Sequence, residues 1–220
     1  MPGAAGRGVA FVFVRVLQGL VGDERGVRAE LDRWRRELAP GGGWRWLTAG
    51  VADGAELVAL FAFDGPAAAR QARPDAAGWQ AALERHLIGP AGWHDCLAVH
   101  ELKGGAAADA GFVVVVQGRL ADPARLAAMR GQVERTLRAH APQVLGVVTA
   151  EHADDPGAFT EATYYTSERA ARAAEREMPV EVAVQLGTVR SYLEGLRFLE
   201  LRDPVLERPA RASAASGRPS

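Results

Sequence analysis

Residues 112–118 read Phe-Val-Val-Val-Val-Gln-Gly, and residues 13–19 read Phe-Val-Arg-Val-Leu-Gln-Gly. The two stretches lie 99 positions apart, and the same offset joins Asp23 to Asp122. Helical solenoid and propeller repeats have periods of roughly 20–50 residues, so a repeat of this length indicates a duplicated globular fold. The chain is therefore predicted to contain two copies of one small domain.

The composition limits the classes of partner. The 220 residues are 48% hydrophobic, which is enough to bury a core in one or two domains, and the formal net charge is −1. A charge so close to zero favours neither nucleic acid nor an anionic membrane as a partner. The single cysteine, Cys96, excludes an internal disulfide and suits a reducing compartment, so we expect a cytoplasmic protein. The apolar run 9–20 could pass for a signal peptide, but Arg15 interrupts it and it recurs at Phe112, so it is predicted to be a strand.

Each copy is predicted to follow the order strand, helix, hairpin, helix, strand. Asp23 and Asp122 follow the first strands and are placed to cap helices whose apolar residues recur every three or four positions. Asp53-Gly54 is a strong hairpin signal, and Ser167 is placed to cap the second helix of the second copy. The predicted strands are 9–17, 44–51, 56–63 and 94–102 in the first copy, and 112–116, 144–151, 158–166 and 196–201 in the second.

The order βαββαβ, present twice, predicts an α+β fold of two fused ferredoxin-like repeats. The strands are apolar on both faces, so the sheet face without helices is also expected to be buried. Two such sheets in one chain can stack face to face as an intrachain dimeric α+β barrel, a pseudo-dimer with a cavity between the sheets. The predicted boundaries are 8–102 for the first repeat, 103–111 for a flexible linker, 112–202 for the second repeat and 203–220 for a tail that caps an edge or is disordered.

A family resemblance is carried by the third strand of the second copy and its surroundings. The matching residues are Gly146, Asp154-Asp155, Phe159-Thr160-Glu161 and Tyr164-Tyr165-Thr166-Ser167-Glu168. This pattern resembles the antibiotic biosynthesis monooxygenase-like (ABM) domains of the dimeric α+β barrel superfamily, in which the third strand ends in an aromatic residue shortly before a Ser that begins a helix. The whole tandem is similar to a group of actinobacterial two-domain proteins.

The resemblance implies a cofactor-independent monooxygenase-like enzyme that acts on a small aromatic or polyketide-type substrate bound between the two sheets. The alternative is an isomerase or cyclase on the same scaffold, or a non-catalytic protein that binds a small molecule or another partner. We expect no bound cofactor, with haem as the less favoured exception. The expected assembly is a monomeric pseudo-dimer or a homodimer of it.

The candidate catalytic residues are His94, His100 and Tyr165. Regular strand alternation would place both histidines on one face with Cys96, and imidazole suits proton abstraction near neutral pH. The alternative is that one histidine lies at a strand end or on the surface. The two are six residues apart, roughly 20 Å along a strand and too far to share an ion, so no metal site is expected. Tyr165 either hydrogen-bonds a ligand or packs in the core.

The candidate substrate-binding residues are amides and aromatic side chains. Gln18 and Gln117 follow equivalent strands, where they act either as turn amides that bond local backbone or as cavity amides that orient a substrate. All five tryptophans fall in the first copy and all three tyrosines in the second, so the copies should line a shared cavity differently. The aromatic candidates are Trp46, Phe63 and Trp93.

Overall fold

A computed structural model of the chain describes residues 12–38, 43–71 and 73–209. The first half contains β1 (Phe13–Val21), α1 (Glu24–Arg33) with a π-helical turn at Trp34–Leu38, β2 (Trp44–Ala52), β3 (Glu56–Phe63), α2 (Pro66–Gln71), α3 (Arg73–Glu84) and β4 (Leu87–Leu102). The second half contains β5 (Phe112–Leu120), α4 (Pro123–His140), β6 (Val144–His152), β7 (Ala158–Tyr165), α5 (Glu168–Arg176), α6 (Val180–Arg190), β8 (Leu193–Leu201) and β9 (Val205–Glu207). Within the described ranges, every helix is too short or too polar to cross a bilayer.

The three predicted helix caps are confirmed. Asp23, Asp122 and Ser167 each accept a hydrogen bond from the backbone N–H three residues later. Such bonds satisfy donors that have no partner within the helix, and each is worth about 1 kcal/mol. The caps therefore fix where α1, α4 and α5 begin.

The strands form one antiparallel nine-stranded sheet in the order β8-β5-β7-β6-β4-β1-β3-β2-β9. In the first half β3 pairs with β1 and β2, and β1 also pairs with β4. The second half repeats this pattern, since β7 pairs with β5 and β6, and β5 also pairs with β8. The halves meet where β4 pairs with β6 and where β9 pairs with β2. The predicted α+β class is confirmed.

The fourth strand of the first half is longer than predicted. It begins at Leu87, seven residues before the predicted start at His94, and it runs for 16 residues. Its first part pairs with β1 and its last part, from Cys96, pairs with β6. One strand therefore belongs to the pairing of both halves.

The corresponding strand of the second half is divided into β8 and β9. Val14 pairs with Cys96 and its counterpart Val113 pairs with Leu201, so the offset between the halves is 105 here. The offset of 99 found in the sequence would also match Glu101-Leu102 with Glu200-Leu201, and the strand register contradicts this match. Within the predicted tail, 203–220, Val205–Glu207 pairs with β2, as the edge-capping alternative expects; residues 210–220 lie outside the described residues.

Side chains from both halves share one inner core. Val14, Leu60, Tyr164 and Leu201 are each fully buried in it. The segment 103–111, predicted as a flexible linker, packs against this core through Ala106, which is 4% exposed. The expected cavity between the sheets is not found among the described residues, because these apolar side chains fill the space.

The two halves differ on their helix-covered faces. In the first half α1 buries Val27 and Leu31 against the sheet. In the second half α4 buries no residue, and α6 buries only Gln185. The predicted apolar stripe of α4 is only half-buried: Leu126, Met129, Val133 and Leu137. The helices of the second half therefore cover their sheet loosely.

Candidate functional site

Two adjoining cavities lie between the sheet of the second half and helices α4 and α6. The first, the His100 chamber, has a volume of about 150 Å³ and is lined by His100, Glu151 and apolar side chains such as Phe159. The second, the Tyr165 chamber, has a volume of about 200 Å³ and is lined by Tyr165, Gln185 and apolar side chains. The residues that line both are Leu102, Val133, Glu161, Leu186 and Val189.

These chambers exist because large side chains of the first half are replaced in the second. Phe61 packs edge-on against two tryptophans beneath the first-half helices. The strand register places Thr163 at the equivalent point of β7, since Phe61 pairs with Arg15 and Thr163 with Val114. Loss of an aromatic ring from a packed layer leaves space that the neighbouring side chains do not fill.

Glu161 lies between the two chambers. Its Oε2 accepts a hydrogen bond of 2.8 Å from Oγ1 of Thr149. Burial raises the pKa of the Glu161 carboxyl, and the hydrogen bond from Thr149 acts in the opposite direction without cancelling the effect. A carboxyl group with a raised pKa in an apolar cavity suits proton transfer near neutral pH.

Gln185 and Tyr165 supply hydrogen-bond donors to the Tyr165 chamber. Gln185 is 8% exposed, and its Nε2 has no hydrogen-bond partner among the described residues. A buried donor without a partner costs about 1–3 kcal/mol, so a ligand oxygen at this point would be stabilising. Burial, together with the charges of Glu175 and Glu161, raises the pKa of Tyr165 to about 12, so its hydroxyl stays protonated.

His100 reaches the other chamber but is already engaged. Its Nε2 lies 3.3 Å from Oε1 of Glu151, which also lies 3.6 Å from a guanidinium nitrogen of Arg130. Burial, and then the charge of Arg130, lower the pKa of His100. The ring is therefore neutral at neutral pH.

His94 and His100 do not share a face of β4, contrary to the prediction. The pairing of β4 with β6 shifts between Cys96 and Ala98, so Leu97 is an extra residue at a β-bulge. A bulge of this kind reverses the alternation of side chains beyond it. His94 therefore lies on the inner side with Cys96, whereas His100 faces the chambers.

The aromatic candidates lie apart from the chambers that His100 and Tyr165 line. Trp46 belongs to the inner core, where its Nε1 donates to Oε1 of Glu101 at 3.1 Å. Phe63 and Trp93 belong to the core beneath the first-half helices. Of the predicted site residues, only His100 and Tyr165 line the second-half cavity.

Gln18 and Gln117 lie inside their strands and not in turns, because β1 and β5 continue beyond them. Nε2 of Gln117 donates to Oε1 of Gln18 at 2.8 Å, which joins the two repeated residues directly. Nε2 of Gln18 lies 3.0 Å from Nε2 of His94, whose Nδ1 lies 3.0 Å from Oδ2 of Asp154. The turn-amide interpretation is therefore wrong, and the pair belongs to a polar cluster.

The same cluster includes His152 at the end of β6. Its ring stacks on that of His94 with centroids 4.4 Å apart and 14° between the planes. Nε2 of His152 lies 2.9 Å from Oγ1 of Thr160, which also accepts a 3.3 Å bond from Gln117. Burial, and then the charge of His94, lower the pKa of His152.

The sequence interpretation missed four residues of these two sites: Glu161, Gln185, His152 and Asp154. For Glu161 a signal was present, since a charged residue stands on a strand face that helices should cover, in line with Thr163 and Tyr165. For the others no local signal exists, because their neighbours come from distant parts of the chain.

Comparison with models of protein families and with curated proteins gives no match. Solved structures nevertheless share the fold. A proposed monooxygenase from Fusobacterium nucleatum is 11% identical, with 92% of this chain and 96% of that chain covered and a TM-score of 0.71. A proposed monooxygenase from Lactobacillus acidophilus is also 11% identical, with 90% and 96% covered and a TM-score of 0.69. An anthrone oxidase-like protein is 12% identical, with 93% and 96% covered and a TM-score of 0.62. At these identities the likeness establishes a shared ferredoxin-like fold.

Proposed function

We propose that this chain, which shares its fold with proteins described as monooxygenases and as anthrone oxidase-like, is a monooxygenase-like enzyme acting on a small aromatic or polyketide-type molecule. One observation carries the proposal: a carboxyl group with a raised pKa, Glu161, and an unpartnered buried amide, Gln185, line the same apolar cavity. Such a pair suits a substrate with an acidic C–H or O–H group beside a carbonyl oxygen.

The proposed reaction converts an activated methylene into a ketone. Glu161 removes a proton from the methylene, and Gln185 and Tyr165 donate hydrogen bonds to the oxygen on which negative charge develops. The carbanion transfers electrons to O₂ and forms a C–OOH bond, and loss of water then leaves the ketone. The balance is R₂CH₂ + O₂ → R₂CO + H₂O, so O₂ is the oxidant and no organic cofactor is consumed.

Glu161 is a better base than either predicted histidine. Nε2 of His100 already contacts Glu151, and His94 lies on the other face of the sheet. Glu161 by contrast lines both chambers and holds one hydrogen bond, on Oε2 from Thr149. His100 remains a candidate for positioning the substrate at the far end of the cavity.

The proposed architecture is an intrachain pseudo-dimer with one active half. The repeated pairing of the strands and the inner core shared by both halves support this proposal. We place the repeats at 8–102 and 112–207, which includes β9 in the second repeat. The first half, in which Phe61 and its tryptophans fill the space beneath the helices, acts as a scaffold for the second half.

Haem does not fit the residues that line the cavity. The histidine that faces the cavity is His100, whose Nε2 contacts Glu151. No step of the proposed reaction uses haem.

The test is oxidation of anthrone, a tricyclic compound whose central ring carries an activated methylene opposite its carbonyl group. The purified chain should consume one O₂ per anthrone and incorporate one ¹⁸O atom from ¹⁸O₂ into anthraquinone. Glu161→Gln should lower kcat by about 10²–10⁴-fold, the usual contribution of a general base. The matched control is Glu194→Gln, which changes an exposed carboxyl on β8 and should leave the rate unchanged.

Three outcomes would count against the proposal. Equal rates for wild type and Glu161→Gln would exclude Glu161 as the base. Conversion of a ligand without O₂ uptake would favour the isomerase or cyclase alternative. Binding that depends on Gln185 but never leads to turnover would favour a non-catalytic binding protein.

A further inference from the structure

We propose that His94, His152 and Asp154 bind a divalent transition-metal ion at a site separate from the second-half cavity. One potential ligand atom from each residue lies within 4.8 Å of the other two. Zinc and similar ions bind nitrogen and oxygen ligands at about 2.0–2.2 Å, so the two imidazole rings and the carboxylate must turn toward a common point before one ion can bind all three. The proposal does not depend on the oxygenation chemistry.

The sheet brings these three residues together from different strands. His94 lies on β4 just before that strand leaves β1 and begins to pair with β6. His152 is the last residue of β6 and pairs with Cys96. Asp154 follows in the β6–β7 turn, which is tied to β4 because the N–H of Ala153 donates to the carbonyl of Asp95 at 2.7 Å. The backbone therefore fixes the distances within the cluster.

The other ring nitrogen of each histidine already has a partner. Nε2 of His152 meets Thr160, and Nε2 of His94 meets Gln18. Gln117 contacts both of these partners and so braces the whole set. Histidines that bind metals through one nitrogen are typically held in this way through the other. The repeated glutamine pair thus acquires a role that neither interpretation of the sequence gave it.

A metal ion would take the position of the proton that His94 Nδ1 shares with Asp154. Nε2 of His94 would then carry the ring proton, which requires the Gln18 amide to turn so that its Oε1 faces the ring. Because this Oε1 now accepts from Gln117, the Gln117 amide would turn with it. The two imidazole rings now lie nearly parallel, and metal binding would open this stack because nitrogen lone pairs lie in the ring planes.

The ligand set selects a class of ion. Two imidazoles and one carboxylate leave coordination positions open, and the side chain of Asp154 is 51% exposed, so water can complete the shell. Such sets hold Zn²⁺ or Fe²⁺, and affinity should rise from Mn²⁺ to Co²⁺, as it does at other sites with nitrogen and oxygen ligands. Cys96 lies in the inner core and is not part of this cluster.

The site occurs at only one of two equivalent places in the sheet. Where His94 pairs with Val16, the second half pairs Leu199 with Val115. The position equivalent to His152 at the end of β2 is Ala52. A cluster that served only to stabilise the duplicated scaffold would be expected at both places, so its single occurrence favours a specific role.

The test uses the full chain, dialysed against EDTA and titrated with Co²⁺ and Zn²⁺ by calorimetry. We expect one ion per chain and visible Co²⁺ absorption bands without a thiolate charge-transfer band. Asp154→Asn and His152→Gln should each weaken Zn²⁺ binding at least tenfold. About tenfold is the lower end of the losses seen when residues that hold metal ligands are changed, and removal of a ligand should cost no less. The matched control is His86→Ala, which removes another His–Asp pair, with Nδ1 of His86 3.1 Å from Oδ2 of Asp23.

Absence of stoichiometric metal binding would overturn the proposal. A loss of Zn²⁺ affinity in His86→Ala equal to that in Asp154→Asn would overturn it as well. Because His152 is 9% exposed, its variant could fail to fold, and Asp154→Asn at the exposed position then decides the outcome. Glu161→Gln should bind the ion as wild type does. Failure of the oxygenation proposal and failure of the metal proposal are therefore distinguishable.

Discussion

Leu31 on α1 and Leu126 on α4 give the sharpest test of the loose cover over the second-half cavity. Leu31 is 1% exposed in the core beneath the first-half helices, whereas Leu126 is half-buried and lines the His100 chamber. Truncation of a fully buried leucine to alanine usually costs about 2–5 kcal/mol. A side chain that already faces open space loses fewer contacts, so Leu126→Ala should cost about 1 kcal/mol or less.

The two variants should therefore differ by several degrees in Tm. For a chain of this size, a change of 1 kcal/mol in the free energy of unfolding shifts Tm by about 2–4 °C. Leu31→Ala should lower Tm by roughly 4–20 °C and Leu126→Ala by less than about 4 °C. Thermal unfolding followed by far-UV circular dichroism measures both values.

Tryptophan fluorescence supplies the control, because all five tryptophans lie in the first half. Coincident transitions by fluorescence and circular dichroism would show that both halves unfold together, which the comparison of Tm values requires. If Leu126→Ala destabilises the protein as much as Leu31→Ala, helix α4 packs tightly on its sheet and the reasoning about the cavity is refuted.

Three further predictions follow from individual contacts. Burial raises the pKa of Glu161, so the wild type loses stability as the pH rises from about 4.3, the ordinary pKa of Glu, through the raised pKa. Glu161→Gln should therefore raise Tm at pH 8 but not at pH 4. An equal gain in Tm at both pH values would contradict the raised pKa of Glu161. Gly146→Ala would place its Cβ against the carbonyl oxygen of Gly105, so denaturant unfolding should show a loss of stability of about 1–3 kcal/mol. Gly187→Ala, with nothing within 4 Å of the added Cβ, should instead gain up to about 1 kcal/mol of stability. The hydroxyl groups of Tyr164 and Thr48 lie 2.7 Å apart in the inner core, so Tyr164→Phe should cost about 1–2 kcal/mol and less when Thr48→Val is also present; strict additivity would show that the bond does not form.

Much of the fold could be predicted because its signals are local. The caps at Asp23, Asp122 and Ser167 follow from residue types next to amphipathic patterns, and each is present. The hairpin at Asp53-Gly54 likewise joins β2 to β3. Such signals depend on neighbours within a few residues of the chain, which a sequence displays directly.

The candidate site could be predicted only in part because it depends on non-local register. The alternation that joined His94 to His100 assumes a regular strand, and no residue near Leu97 marks the bulge that breaks it. The approach of His152 to His94 requires β4 to pair with β6, a contact between the two halves. The division of tryptophans and tyrosines predicted one shared cavity lined differently by the two copies, whereas the two chambers lie in the second half, where Thr163 stands at the position of Phe61.

The pairing of β9 with β2 has a consequence for biosynthesis. The outer edge of β2 is covered by residues that leave the ribosome only after the entire second half has been made. The first half therefore emerges with an open strand edge, which is a template for wrong pairing with another chain. Separately produced halves should recover the sheet when they are mixed, since β4 and β9 each carry the edge that the other half lacks.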